Sequence, residues 1–180
     1  MRLQFRTPRW LSLSLSCCAC APIVIAGLFA CSATHFDGTT YRHGDIAFSI
    51  PNAPSHWRRL DVSNALFSFR DDAAHATIAV HGRCGKDGDD IPLESLTQHL
   101  FIYFTEREVI DQKRMALDGR EAMRTEMLAK LDGVPRRFVV VVLKKDGCVY
   151  DFLYVSEVNG GDQSVSAFDR YVASFHTVQP

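Results

Sequence analysis

The chain has 180 residues, 20 Lys and Arg against 21 Asp and Glu, and a net charge of -1, a length that argues for one domain. Setting aside three arginines near the N-terminus leaves 17 basic against 21 acidic residues, or -4. No basic stripe then remains to hold phosphates, and nucleic acid drops out of the expected partners.

Arg2, Arg6 and Arg9 are the only charges in the first thirty residues, and no Asp, Glu, Lys or Arg stands between Trp10 and Phe36. A basic start, the apolar core "APIVIAGLFA" and a small residue before the break are the parts of an export signal. Leu28-Phe29-Ala30-Cys31 resembles the lipobox of bacterial lipoproteins, in which the thiol accepts a diacylglycerol and cleavage frees the cysteine as the new N-terminus. Phe29 stands where that pattern usually has a small residue. The expected division is a signal peptide over 1–30, a polar tether over 31–43 and one domain over 44–180. Cys31 is the expected lipidation site and the membrane a partner through that N-terminal lipid. Several acyl chains on one cysteine anchor stably, whereas one chain binds only marginally. Ser32 after the cysteine points to the outer rather than the inner membrane, by the sorting rule of enterobacteria-like lineages. An uncleaved helix stays open as the other anchor, because the uncharged run exceeds the roughly 20 residues needed to span a bilayer.

Removing the leader also removes Cys17, Cys18 and Cys20. With Cys31 acylated, Cys84 and Cys148 are left as a pair in an oxidising compartment, which makes a structural disulfide the expectation. Cys84 and Cys148 form no C-x-x-C, and neither has a neighbouring histidine in a ligand pattern.

After the tether, Ile46, Phe48 and Ile50 alternate with Ala47 and Ser49 in a strand stopped by Pro51. "PNAPSHW" is a loop delivering Trp57 to a core edge. Phe67 and Phe69 mark the next strand, and Ala76, Ile78 and Val80 the one after. "GRCGKDGDD" is a loop. Leu93, Leu96, Leu100, Tyr103 and Phe104 keep helical spacing, with Asp90 as the expected cap and Pro92 in the first turn. Val165, Phe168, Val172 and Phe175 repeat the pattern in a second helix opening near Asp162.

Between the helices, Asp-Gly recurs at 118–119, 132–133 and 146–147. Asp-Gly suits tight hairpin turns because both central residues can take positive φ. Equal spacing predicts arms of equal length, a β-meander. "REAMRTEMLAKL" is rich in helix formers. It is read as a strand, because Met123, Thr125, Met127, Ala129 and Leu131 also share one face at period two.

"IAFSIP" with Trp57, the glycine of "LDGREAM", and the closing helix with Phe168 and Phe175 together resemble the Mog1/PsbP-like family, in its bacterial lipoprotein branch. The likeness spans about residues 41–178. It implies an α+β fold in which an antiparallel sheet is covered by two helices, an α/β/α sandwich. It also implies a non-enzymatic role, since members mostly bind or help assemble other proteins.

Candidate sites are few. His75 and His81, six apart, lack a third ligand for metal. Asp87, Asp89 and Asp90 lack the spacing and closing glutamate of an EF-hand. No G-x-S-x-G elbow and no glycine-rich phosphate loop occurs. Arg136, Arg137, Lys144 and Lys145 read as solvated charges, and Phe101, Tyr103, Phe104, Tyr150, Phe152 and Tyr154 as core. The expectation is a lipid-anchored envelope protein on the periplasmic face, binding an unidentified envelope protein, without catalytic residues, cofactor or metal. Two alternatives are carried with it: a metal- or thiol-dependent envelope protein, and a chaperone-like binder of hydrophobic segments.

Overall fold

The computed structural model describes residues 35–37, 39–51, 53–85 and 91–178. In chain order these form β1 (His35–Phe36), β2 (Thr40–His43), β3 (Ile46–Ser49), β4 (Trp57–Leu60), β5 (Phe67–Asp71), β6 (Ala76–Cys84), α1 (Leu93–Leu100), β7 (Thr105–Leu117), β8 (Arg120–Leu131), β9 (Val134–Lys145), β10 (Cys148–Ser156), α2 (Asp162–Ala173) and β11 (His176–Thr177). A large antiparallel sheet has the order β4-β5-β6-β10-β9-β8-β7, and a small one the order β1-β2-β3-β11.

The meander follows from its turns. Asp118, Asp132 and Asp146 take φ of 50°, 50° and 53°, and the glycines after them 72°, 79° and 72°. Positive φ at both central residues gives the turn a twist that matches the flanking strands, so each arm folds straight back on the last. The helix formers of β8 are held extended because β8 pairs along its length with β7 and β9, for example Thr125 opposite both Gln112 and Val140. Tertiary pairing has overridden propensity here.

Alternation along the large sheet makes two cores. On one face Phe152, Tyr150, Val141 and Ile78 meet Phe48 of the small sheet and Phe168, Val172 and Phe175 of the C-terminal segment. On the other, Phe138, Val140, Val149 and Met127 meet Leu96 of α1 and Phe101 beyond it. The result is a layered α+β sandwich with the large sheet in the middle.

Some expectations are corrected. Residues 35–43, read as part of a polar tether, carry β1 and β2, and Tyr41 is buried against Phe48 and Phe67. One apolar side chain amid polar neighbours gives no periodic signal, yet it suffices to seat a short strand. Helix α1 ends at Leu100 rather than running through Phe104. Phe101 is buried, but Tyr103 is 89% exposed and is not core. Pro92 occupies the helix N-cap, and Asp90 lies outside the described residues, as do Asp87 and Asp89.

Lys145 is not a solvated charge. Its ammonium donates to Asp118 Oδ2 at 2.7 Å and to the Asp118 carbonyl at 2.7 Å. The same Oδ2 accepts from the Thr177 N–H at 2.7 Å and hydroxyl at 2.9 Å, so the first Asp-Gly turn is tied to β11. Burial opposes ionisation of Asp118, but the Lys145 and Thr177 hydrogen bonds outweigh it and hold the carboxyl below its ordinary value. A lowered carboxylate pKa contributes stability above the unfolded value near 4 and loses it as pH falls through the folded value. Asp118→Asn keeps a residue that tolerates the left-handed turn while removing the charge. It is expected to cost about 1–2 kcal/mol at pH 7. In urea titrations the gap to the parent is expected to narrow as pH falls below about 4 and through the folded value of the carboxyl, and a gap that stays constant with pH would reject this assignment.

Candidate functional site

Among the described residues, three clusters of side chains are candidates for a functional site. The first lies where α2 meets β5. Asp71, 3% exposed, accepts the Ser164 hydroxyl at 2.7 Å and the Ala74 N–H at 3.2 Å, and His56 Nε2 stands 3.8 Å from the same carboxylate. Burial raises the Asp71 pKa, but these groups prevail and hold the carboxyl low. A nucleophilic serine needs the imidazole between its hydroxyl and the carboxylate. Here the Ser164 hydroxyl donates its hydrogen bond directly to Asp71, an arrangement that fastens the first turn of α2 to the sheet.

The second place is the α1 face of β6 and β10, where Asp151 sits opposite His81 in the strand register. Arg83 donates to Asp151 Oδ2, while Oδ1 meets no hydrogen-bond donor among the described residues. Asp151 is 1% exposed, and that burial pushes its pKa up against the pull of Arg83. His81 Nδ1 lies 2.9 Å from the Asn64 carbonyl, which can only accept, so the ring proton resides on Nδ1. His81, Arg83, Asp151, Leu100 and Leu153 border a notch of about 290 Å³. His75, the other expected histidine, is exposed in the turn before β6 with φ 50°, and the structure does not bring the two together as a pair of ligands. Among the described residues no three His, Cys, Asp or Glu side chains converge to hold a metal ion.

The third place is the junction of the two sheets at their first strands. The ring of Phe36 on β1 packs 4.8 Å from that of Phe67 on β5. The Arg59 guanidinium on β4 lies over three rings, 4.9 Å from Phe67, 5.7 Å from Phe36 and 6.0 Å from Phe69. With Pro51, Pro54, Trp57 and Tyr171 among others, these side chains line a cavity of about 250 Å³. A guanidinium on aromatic faces keeps its N–H groups free at the edge for an anionic oxygen. Sequence reading placed Trp57 correctly at a core edge but had no signal for Arg59, because the pairing register that sets it opposite Phe69 of β5 and the approach of Phe36 from β1 are not written near it.

The expected cysteine pair is joined. Cys84 and Cys148 are directly opposed in the β6–β10 ladder and form a disulfide across a sequence separation of 64. Cys31 lies outside the described residues, as do Cys17, Cys18 and Cys20. No helix among the described residues is long and apolar enough to cross a membrane.

A central antiparallel meander, flanked by one short helix on one face and by a C-terminal helix with a small sheet on the other, is a PsbP-like α+β fold. In solved structures the same fold is seen in the cyanobacterial PsbP protein (CyanoP) of Synechocystis sp. PCC 6803, with TM-score 0.55 and 17% identity over 84% of this chain and 99% of that one. PA94 of Pseudomonas aeruginosa, a protein of unknown function, aligns with TM-score 0.51 and 13% identity over 79% of this chain and 97% of that one. A Bacteroides thetaiotaomicron protein aligns with TM-score 0.53 and 11% identity over 73% of this chain, which spans only 45% of that protein's length. No protein-family model and no curated protein sequence matches the chain. At such identities the likeness is one of fold, and function must be argued from the residues.

Proposed function

We propose that this is a lipoprotein of the cell envelope, anchored by acylated Cys31, whose domain works by binding as an accessory or assembly factor rather than by catalysis. The observation that carries the reading is the juxtaposition of a lipobox-like Leu28–Cys31 with a folded unit that begins almost at once, at His35. A cysteine placed there holds the domain close to a bilayer on a tether of a few residues. Following Ser32, the reading places the anchor in the outer membrane with the domain on the periplasmic side. The Cys84–Cys148 disulfide supports a compartment outside the reducing cytosol. Non-catalytic binding is supported by the polar clusters, in which Asp71, Ser164, Asp118 and Lys145 spend their hydrogen bonds fastening elements together.

The test is an intact mass of protein extracted from membranes, with Cys31→Ser beside it. The parent is expected to have a mass starting at Cys31 plus a diacylglycerol and an amide-linked acyl chain, and to fractionate with membranes. Cys31→Ser is expected to lack the lipid and retain the leader. A parent recovered with an unmodified Cys31 would reject the anchor. Crosslinking of the lipidated protein in intact cells, followed by mass spectrometry, is expected to recover a discrete envelope protein.

A further inference from the structure

The site at the junction of the two sheets has an occupant suggested by how few residues separate Cys31 from β1. Three residues separate Cys31 from His35, and an extended chain advances at most about 3.6 Å per residue. An acyl-bearing Cys31 therefore lies within about 14 Å of the first residue of β1. This deepens the proposed function and rests on its acyl anchor.

What the anchor brings to the bilayer is the outer edge of both sheets. β1 ends the small sheet and β4 ends the large one, and they meet through Phe36, Phe67 and Arg59. Phe36 is 39% exposed despite its ring contacts, and Val62, in the turn that follows β4, is 41% exposed. Arg59 is exposed and has no carboxylate partner among the described residues. The nearby acids are engaged elsewhere or offset. Asp37 accepts the backbone N–H groups of Thr39 and Thr40, Asp72 bridges Arg58 and Arg70, and Asp61 stands beside Val62. By contrast, the far edge of the large sheet, β7, lies six strand spacings away, about 29 Å, beyond the tether's reach.

We infer that the Phe36–Arg59–Val62 edge rests on the phospholipid interface, with Arg59 paired to a headgroup phosphate and the Phe36 and Val62 side chains at the acyl boundary. The chemistry fits each residue. A guanidinium forks onto phosphate oxygens, and its stem and stacked rings are apolar enough to leave water with it. Aromatic and aliphatic tips beside a cation are the usual make-up of an interfacial contact. The docked edge fixes the domain's orientation and leaves the β7 edge facing away from the membrane.

The test uses the acylated protein that begins at Cys31 in vesicles of phosphatidylethanolamine and phosphatidylglycerol, with an environment-sensitive fluorophore on a cysteine introduced at Val62 or, as control, at Tyr103. The Val62 probe is expected to be shifted to the blue on vesicles and to react with aqueous dithionite at least fivefold more slowly than the Tyr103 probe on the same vesicles. Arg59→Glu is expected to restore dithionite access at Val62 while the protein still floats with vesicles. If the protein floats and the Val62 probe is as accessible as the Tyr103 probe, the docked edge is wrong and the anchor stands. If mass measurement finds no acyl group on Cys31 and the protein does not float, the anchor falls and the docking inference falls with it.

Discussion

Replacing Cys84 and Cys148 together by alanine is expected to lower the unfolding free energy by about 2–4 kcal/mol. The disulfide closes a sequence separation of 64 residues, for which the chain-entropy argument gives an upper figure of about 4 kcal/mol. Its placement explains why that restriction acts on the whole fold. β10 is the strand where the meander rejoins β4–β6, and the β6–β10 ladder begins with the two cysteines opposite each other. Everything from α1 through β9 lies inside the closed loop. Without the crosslink, the unfolded chain regains the freedom to separate the two halves of the sheet. At this size about 1 kcal/mol corresponds to roughly 2–4 °C in Tm, so the double variant is expected to melt some 5–15 °C lower. Alanine at both positions avoids the free thiol that either single variant would leave. A double variant melting within about 2 °C of the parent would reject a structural role for the bridge.

The meander and the bridge were legible because each is written locally. Asp-Gly specifies a turn wherever it occurs, and three at equal intervals leave little else for the arms to do. The two cysteines needed only subtraction of the leader. β8 was legible for a subtler reason: Met123, Met127 and Leu131 fit both a helix stripe and a strand face, and the hairpin turns at either end decide between them. What could not be read depends on register between distant segments. Asp118 was visible as a turn residue, but nothing near it announces Thr177, 59 residues on, as its hydrogen-bond donor. Arg59 likewise looks like any exposed arginine until β1 and β5 bring Phe36 and Phe67 beneath it. Tyr103 failed in the other direction. Helical spacing placed it in the core, but the helix stops before it, and only Phe101 and Phe104 of that segment turn inward to pack on Phe138.

Arg137 shows the same limit with the larger energetic consequence, because it reads in sequence as one of a solvated pair with Arg136 and is instead the clamp that holds α2 to the sheet. It donates to Glu126 Oε1 from Nε at 2.9 Å and from Nη2 at 2.7 Å, and from Nη1 to the Gly160 carbonyl at 2.9 Å and to Asp162 at 2.9 Å. Its side chain is 15% exposed and that of Glu126 13%. Burial opposes its charge, yet the carboxylates of Asp162 and Glu126 more than compensate and raise its pKa. A second arginine on the same face, Arg124, reaches Asp169 in the body of α2 through two hydrogen bonds of 3.0 and 3.1 Å. Arg137→Met keeps most of the apolar stem and removes every donor of the fork. It leaves Glu126 charged and largely buried beside Arg124 alone, and it frees the Gly160 carbonyl at the start of the helix. Removing one partner of such a cluster costs more than the cluster is worth against apolar replacements, because the remaining charge keeps its desolvation. The expected loss is about 2–3 kcal/mol, below the figure for fully buried pairs because Asp162 is solvent-exposed. Pairing it with Glu126→Gln tests the mechanism: once the carboxylate is neutral, Arg137→Met is expected to cost about 1 kcal/mol less than in the parent. Two losses that simply add in urea denaturation would mean that Arg137 holds α2 through the Gly160 carbonyl and its own packing, with the ion pair contributing nothing.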